Sequence, residues 1–188
     1  MPSFVNPSRR GLLGAFAGIA MVVAAPSHAG IFSILRSAGD IRRVKMYSGR
    51  TGEFMDTIYW ADGDYIPEVL KEVNHFMRDW RENSVINYDV RNLDLIAATQ
   101  NLLETKEPYL LLSGYRSPHT NAMLRERSRG VAQNSFHMRG MAADLRMKSR
   151  SIRQMAQAAL ACNAGGVGTY GRSNFVHMDC GPIRTWRG

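Results

Sequence analysis

The sequence predicts an α+β fold in which an antiparallel β-sheet is flanked by helices, and two observations indicate it. Some segments have apolar residues at helical spacing, and others alternate between apolar and polar residues as strands do. The two kinds of segment are segregated along the chain, which favours an antiparallel sheet over a parallel one. The chain has 188 residues, of which 45% are hydrophobic. That length and composition fit one globular domain with an appendage.

The appendage is the first 29 residues, interpreted as an export signal that precedes the folded domain at 30–188. Arg9 and Arg10 stand before an apolar stretch, Leu12 to Ala25, and Ser27-His28-Ala29 offers the small residues of a cleavage site. The paired arginines resemble the twin-arginine export signal of bacteria. An uncleaved anchor is the alternative, but an apolar run of about 14 residues is shorter than the roughly 20 that span a bilayer. We therefore expect a periplasmic protein with no stable membrane span after signal cleavage.

The charge pattern does not predict a nucleic-acid partner. The formal net charge is +8, but basic and acidic residues are interleaved, and no dense Lys/Arg block with stacking aromatic residues stands out. For an exported protein, a diffuse positive field favours approach to an anionic polymer outside the cell.

The first half of the domain predicts a hairpin followed by two amphipathic helices. Two β-leaning runs, 41–47 and 53–60, flank the turn-forming segment Ser48-Gly-Arg-Thr-Gly52. Pro67 opens a helix with apolar residues at helical spacing, and a second such helix runs from about 92 to 104 with Leu102 and Leu103 directed inward.

The second half predicts a buried strand, two further helices and three strands. In order, these are the strand 109–113, a turn at 114–118 that begins a helix reaching about 129, the alternating strand 141–147, the helix 151–162, and two strands after the glycines at 165–168.

Two histidines and two carboxylates in this half can converge. His177 and Asp179 are two residues apart on a strand, so both side chains leave the same face, and Asp144 lies on one face of its own strand. His137 precedes Asp144 across a turn that Gly140 permits. Two strands and a turn can thus bring His137, Asp144 and His177 to one point. Two imidazoles, one carboxylate and an open position suit a hydrolytic zinc site, whereas a structural zinc would need four ligands.

Four motifs taken together resemble the MepK-like murein endopeptidases, a family within the superfamily of zinc D-Ala-D-Ala peptidases and Hedgehog-like domains. They are Ser-Gly-Tyr-Arg-Ser at 113–117, Ser-x-His-x-x-Gly-x-Ala-x-Asp at 135–144, Gly-Val-Gly-x-Tyr at 166–170 and Phe-Val-His-x-Asp at 175–179. The resemblance covers nearly all of residues 30–188. It implies a Hedgehog/DD-peptidase-like fold and a zinc metallopeptidase that hydrolyses the peptide cross-links of peptidoglycan.

The resemblance also implies roles for individual residues. His137, Asp144 and His177 match the zinc ligands of the family, and Arg116 matches the arginine that faces the substrate carbonyl. A guanidinium there can stabilise the developing oxyanion. Asp179 is the candidate general base, or the group that orients the attacking water.

The chain departs from the superfamily at one position. Many members place a catalytic acid three residues before the last histidine, where this chain has Asn174, which cannot accept a proton. A non-catalytic, zinc-containing wall-binding module is therefore an alternative. A carboxypeptidase that trims stem peptides is another, and it would need a second cation such as Arg139, Arg146 or Arg172. The sequence carries no signal for the oligomeric state.

The two cysteines allow two interpretations. Cys162 and Cys180 could form a disulfide in an oxidising compartment, or both could be small buried residues with free thiols. Cys180 follows the His177 strand with its side chain directed away from the histidine, so it is a poor candidate for a metal ligand.

Overall fold

The computed structural model describes residues 41–128 and 130–188, and its framework is one mixed β-sheet with helices packed against it. The predicted export signal lies outside these residues. The strands are β1 Ile41–Ser48, β2 Phe54–Ala61, β3 Asp64–Tyr65, β4 Tyr109–Ser113, β5 Ala142–Arg146, β6 Gly166–Tyr170, β7 Phe175–Asp179 and β8 Arg184–Arg187. The helices are α1 Pro67–Phe76, α2 Val90–Leu102, α3 Pro118–Arg127 and α4 Ile152–Ala161, with a 3₁₀ turn at Phe136–Arg139. The predicted α+β class is confirmed.

The sheet has the strand order β3-β2-β1-β4-β5-β7-β6-β8 and is mostly antiparallel. The pairs β1–β4 and β6–β8 are parallel, which the sequence analysis did not predict. Parallel neighbours require a crossover, and α1 and α2 supply it between β1 and β4. The hairpin strands β6 and β7 are joined directly, and β8 returns on the outer edge of β6.

The helices begin where the local sequence favours a start. Pro67 stands in the first turn of α1, where its missing N–H costs nothing. The Asp89 carboxylate caps α2, the Ser117 hydroxyl caps α3, and Ser151 with Gln154 forms a capping box at α4. None of the helices in residues 41–128 and 130–188 is long and apolar enough to cross a bilayer.

Helix α2 is the central helix of the core, and it differs from the amphipathic helix that the sequence predicts. Its residues from Asn92 to Gln100 are all buried, because β1, β7 and α4 surround it. Leu103 is buried as predicted, but Leu102 at the end of the helix is 41% exposed. The largest fully buried apolar side chains among the described residues are Met46, Tyr59, Met77, Leu93, Leu95, Ile96, Tyr109, Leu145, Met155 and Met178.

The two cysteines are free buried thiols, so the disulfide interpretation is wrong. Cys162 ends α4 and lies 3.8 Å from the Thr99 hydroxyl, whereas the Cys180 thiol follows β7 and donates to the Met141 carbonyl. Burial raises the pKa of Cys180 to about 12, so its thiol stays protonated and is a poor metal ligand.

Glu107 ties the start of β4 to the segment that follows β5, and it makes the stability depend on pH. Its carboxylate accepts the N–H groups of Lys148 and Ser149 at 2.7 and 2.9 Å. Burial opposes ionisation, but these bonds outweigh it and lower the pKa of Glu107. The bonds therefore stabilise the fold above the unfolded-state pKa of about 4.3 and are lost as the pH falls through the folded-state value.

We expect Glu107→Gln to lower the free energy of unfolding by about 1 kcal/mol at pH 7, since the group is partly exposed. Urea denaturation of both proteins at pH 7, 5 and 3 measures this difference. It should shrink towards zero at pH 3, and a difference that stays constant with pH would contradict the role of the ionised carboxylate.

Candidate metal centre and cleft

The register of β5 against β7 places the predicted side chains together. Asp144 is paired with His177, and Ala142 with Asp179. Paired residues of an antiparallel sheet share a face, so Asp144, His177 and Asp179 all leave the same side of the sheet. This arrangement follows directly from the alternation seen in the sequence.

The 3₁₀ turn before β5 brings His137 to that face. The Ser135 hydroxyl accepts the N–H of His137 at the start of the turn, and the N–H of Gly140 donates to the His137 carbonyl at its end. Gly140 has φ 64°, and a Cβ there would lie 3.0 Å from Cγ2 of Ile86. Only glycine meets both demands without strain, so Gly140 allows the chain to turn back into β5.

Three potential ligand atoms converge at one point. Nε2 of His137 lies 3.2 Å from Oδ1 of Asp144 and 3.2 Å from Nδ1 of His177, and the last two atoms are 2.9 Å apart. For metal–ligand bonds of about 2.0–2.1 Å, tetrahedral geometry separates the ligand atoms by about 3.3 Å. The three side chains thus have the separations that a zinc ion requires.

In each imidazole, the nitrogen that faces away from the point of convergence has a hydrogen-bond acceptor. This outer nitrogen fixes the tautomer, and with it the protonation of the inner nitrogen that faces the point of convergence. Nδ1 of His137 lies 2.6 Å from the Gly114 carbonyl, and Nε2 of His177 lies 3.0 Å from Oδ2 of Asp179. Each outer nitrogen therefore carries a proton, and the inner nitrogens direct lone pairs at each other and at Asp144. Such a set of lone pairs is unfavourable unless a cation or a proton lies between them. The residues fit a zinc ion, for which two nitrogens and one oxygen are suitable donors.

Burial and charge set the protonation of this cluster. Burial lowers the pKa of His137 to about 4, so its imidazole is neutral at physiological pH. Burial opposes ionisation of Asp144, but the two histidines outweigh it and hold the pKa of this carboxyl well below its usual range. Burial also opposes protonation of His177, but its hydrogen bonds to Asp144 and Asp179 prevail and raise its pKa. Metal binding would therefore compete with a proton at His177.

Asp179 lies behind His177, on the side away from the point of convergence. It is fully buried, and its oxygens accept from His177, from both Nη atoms of Arg184 at 2.9 and 2.7 Å, and from the N–H of Gly181. Burial opposes ionisation, but these contacts lower the pKa of Asp179 to about 2. A carboxylate with its acceptor positions occupied is poorly placed to take a proton from water. The geometry favours an orienting role towards His177 over the predicted role of general base.

Sequence analysis missed Arg184 and Trp186, which cover this part of the site from β8. Arg184 pairs with Asp179, and the Trp186 ring centre lies 5.2 Å from that of His177. A Cβ on Gly166 would lie 2.3 Å from Nη1 of Arg184, and one on Gly168 would lie 2.4 Å from Trp186. The sequence did carry a signal for this contact, because the two glycines are spaced by two residues on β6, as Arg184 and Trp186 are on β8. The signal could not be used, because the pairing of these two strands was unknown from the sequence.

Arg116 reaches the site from the loop after β4. Its Nη2 lies 3.7 Å from Oδ2 of Asp144, and its side chain is about nine-tenths buried. Its N–H donates to the His137 carbonyl, which ties the loop to the 3₁₀ turn. The buried Nε atom has no hydrogen-bond partner among the described residues. Arg116 thus lies beside Asp144, next to the point where the three potential ligand atoms converge.

An open cleft of about 540 Å³ leads to His177. Its aromatic wall contains Tyr170, whose hydroxyl accepts from Nε1 of Trp186 at 2.9 Å. Asn174 is exposed in the turn between β6 and β7, where its φ of 52° is one that asparagine tolerates. The described residues that line the cleft do not include Asn174.

Comparisons with known proteins show which family the chain is similar to. The family model described as "Peptidoglycan L,D-endopeptidase MepK" matches residues 36–186, a range that contains the whole site. The chain is 46% identical over 136 residues to the peptidoglycan L,D-endopeptidase MepK of Escherichia coli (strain K12), which covers 72% of this chain and 75% of that protein. It is 38% identical over 139 residues to the probable peptidoglycan L,D-endopeptidase MepK of Haemophilus influenzae, covering 73% of this chain and 75% of that one.

Proposed function

The chain belongs to the MepK family of peptidoglycan peptidases, and from that premise we propose that it is an exported, zinc-dependent endopeptidase that hydrolyses the peptide cross-links of peptidoglycan. The observation that carries the proposal is the convergence of His137, Asp144 and His177 at the end of an open cleft, with Arg116 beside them. Three ligand atoms leave a fourth position free for water or substrate, as in hydrolytic zinc sites.

The chain supplies further groups that suit peptide hydrolysis. A zinc ion at this site would act as a Lewis acid and lower the pKa of a water molecule. The guanidinium of Arg116 is charged, buried and held by its loop, so it can stabilise negative charge on the carbonyl oxygen of the scissile bond with little reorganisation. Tyr170 and Trp186 form an apolar wall along which the peptide can lie.

Asp179 acts on His177 in this proposal. Its bond to Nε2 keeps the imidazole in the tautomer whose Nδ1 faces Asp144, and Arg184 holds the carboxylate in place. Partners of this kind affect metal affinity by about 10- to 100-fold.

We therefore expect Asp179→Asn to weaken zinc binding by about 10- to 100-fold while kcat at saturating zinc stays within about tenfold of the wild type. Zinc titration with a competing chelator, followed by kinetics at saturating metal, separates the two effects. A much larger loss of kcat with zinc affinity unchanged would instead identify Asp179 as the general base.

The activity itself is tested with purified cross-linked muropeptides. Incubation with the zinc-loaded protein should convert dimers into monomers, detected by mass analysis of the products, and a chelator should prevent the conversion. Dimers that stay intact but bind to the folded, zinc-loaded protein would instead show the wall-binding module that Asn174 leaves open. Loss of a terminal residue alone would show a carboxypeptidase.

Export belongs to the same proposal. A peptidoglycan cross-link lies outside the inner membrane, and the arginine pair before an apolar stretch at the start of the chain supports transport by the twin-arginine route to the periplasm.

A further inference from the structure

We propose that Arg81 is a specificity-determining residue, which lies beside the loop that carries Arg116 and binds a free carboxylate of the peptide substrate through its guanidinium. The inference rests on the proposed function, because it concerns the substrate of that site. Arg81 lies in the segment between α1 and α2, and neither the sequence motifs nor the mechanism above uses it.

A buried carboxylate ties Arg81 to the loop after β4, which carries Arg116. Asp79 is fully buried, and its Oδ1 accepts the N–H of Arg81 at 3.1 Å while its Oδ2 accepts the N–H of Ser117 at 2.9 Å. Ser117 directly follows Arg116 in the chain. One buried carboxylate therefore holds the backbone of Arg81 next to the loop that carries Arg116.

The guanidinium of Arg81 is held on an aromatic ring. Its central carbon lies 4.3 Å from the ring centre of Trp80, and the guanidinium carbon of Arg50 lies 5.5 Å from the same ring. A stacked guanidinium keeps the N–H groups in its plane free for hydrogen bonds, and less side-chain entropy is lost when it binds a ligand.

The positive charge of the Arg81 guanidinium is not neutralised by an ion pair with a described carboxylate. No carboxylate forms an ion pair with its guanidinium among residues 41–128 and 130–188: Asp79 accepts backbone N–H groups, and the adjacent Glu82 pairs with His119. Partial burial lowers the pKa of Arg81, Asp79 opposes that shift, and the cations Arg50 and Arg127 add to it. An incoming anion would relieve this repulsion.

A carboxylate is the anion that fits. The planar fork of a guanidinium matches the two oxygens of a carboxylate, and cross-linked stem peptides carry free carboxylates near the scissile bond and at the chain end. Arg127 ends α3, and the segment that follows α3 lines the cleft from Gly130 to Phe136. A carboxylate bound at Arg81 would therefore anchor one end of a peptide that extends past Arg116 towards the metal centre.

Steady-state kinetics on three muropeptide dimers test the proposal: the unmodified dimer, a dimer amidated at the terminal carboxylate, and a dimer amidated at the free carboxylate beside the cross-link. On the unmodified dimer, Arg81→Gln should raise KM about tenfold, equivalent to about 1.4 kcal/mol, with little change in kcat. Amidating the carboxylate that Arg81 binds should raise the wild-type KM by a similar factor and cancel the effect of the substitution. The dimer that behaves in this way identifies the source of the carboxylate.

Controls separate this result from misfolding and from failure of the proposed function. Arg153→Gln, which removes an exposed arginine of α4 outside the cleft, should leave all three KM values unchanged. Arg81→Lys keeps the charge without the planar fork and should lie between the wild type and Arg81→Gln. If the wild type cleaves no dimer, the proposed function fails. Calorimetry then measures the binding of the same three dimers to the wild type and to Arg81→Gln, which still tests the role of Arg81. Unchanged affinity in Arg81→Gln, or an effect that persists on both amidated dimers, would overturn the proposal.

Discussion

Zinc is expected to stabilise the folded chain by about 4 kcal/mol when its free concentration is about 1,000 times the dissociation constant, and His177→Ala is expected to abolish this effect. Within residues 41–128 and 130–188, His177 supplies one of the three potential ligand atoms at the convergence point. Without it, His137 and Asp144 remain, and two protein ligands hold a metal far more weakly. Loss of the Lewis acid removes several kcal/mol of transition-state stabilisation, so kcat/KM should fall by about 10³-fold or more.

Urea denaturation with and without zinc measures the stabilisation, and muropeptide kinetics measure the activity. His75→Ala is the matched control, because His75 is an exposed histidine of α1 outside the cleft, and it should keep both properties of the wild type. If His177→Ala bound zinc as the wild type does, the ion would have to lie elsewhere and the metal centre described above would be wrong.

Arg116→Gln should lower kcat by about 10²- to 10³-fold, the loss typical when one oxyanion-stabilising donor is removed. Nη2 of Arg116 lies 3.7 Å from Oδ2 of Asp144, so its charge lies beside the point where we propose that the carbonyl reacts. Since the effect belongs to the transition state, KM should change little, and zinc affinity should stay close to that of the wild type.

Arg116→Lys provides the graded comparison. It keeps a positive charge but cannot present two N–H groups in one plane, so its kcat should lie between those of Arg116→Gln and the wild type. Rates for Arg116→Gln that equal the wild type at saturating zinc would show that Arg116 has only a structural ion pair with Asp144.

Much of the candidate metal site could be predicted because its residues obey local periodicities. Alternation along a strand placed His177 and Asp179 on one face, and the structure shows them there beside Asp144. Gly140 marked the turn that carries His137, and its positive φ confirms that role. These features depend on neighbours within a few residues of each other, where side-chain direction follows from backbone geometry.

The partners of those residues could not be predicted in the same way. Asp179 suited the role of base as long as its surroundings were unknown, and only the pairing of β8 with β6 brings Arg184 onto its carboxylate. Arg81 is similar, because its position near Arg116 depends on the contact of Asp79 with Ser117 across a long stretch of chain. The disulfide failed for the same reason, since Cys162 and Cys180 pack against different neighbours.

Residue type and spacing predicted the α+β class, the family and a candidate site that contains His137, Asp144, His177 and Arg116. Three features came only from the packing of distant segments: which imidazole nitrogens face inward, that Arg184 pairs with Asp179, and that Asp79 links Arg81 to the loop that carries Arg116. The physical reason is that residue type and period set the direction of a side chain, whereas protonation, tautomer and charge depend on atoms that strand order and loop packing bring from distant parts of the chain.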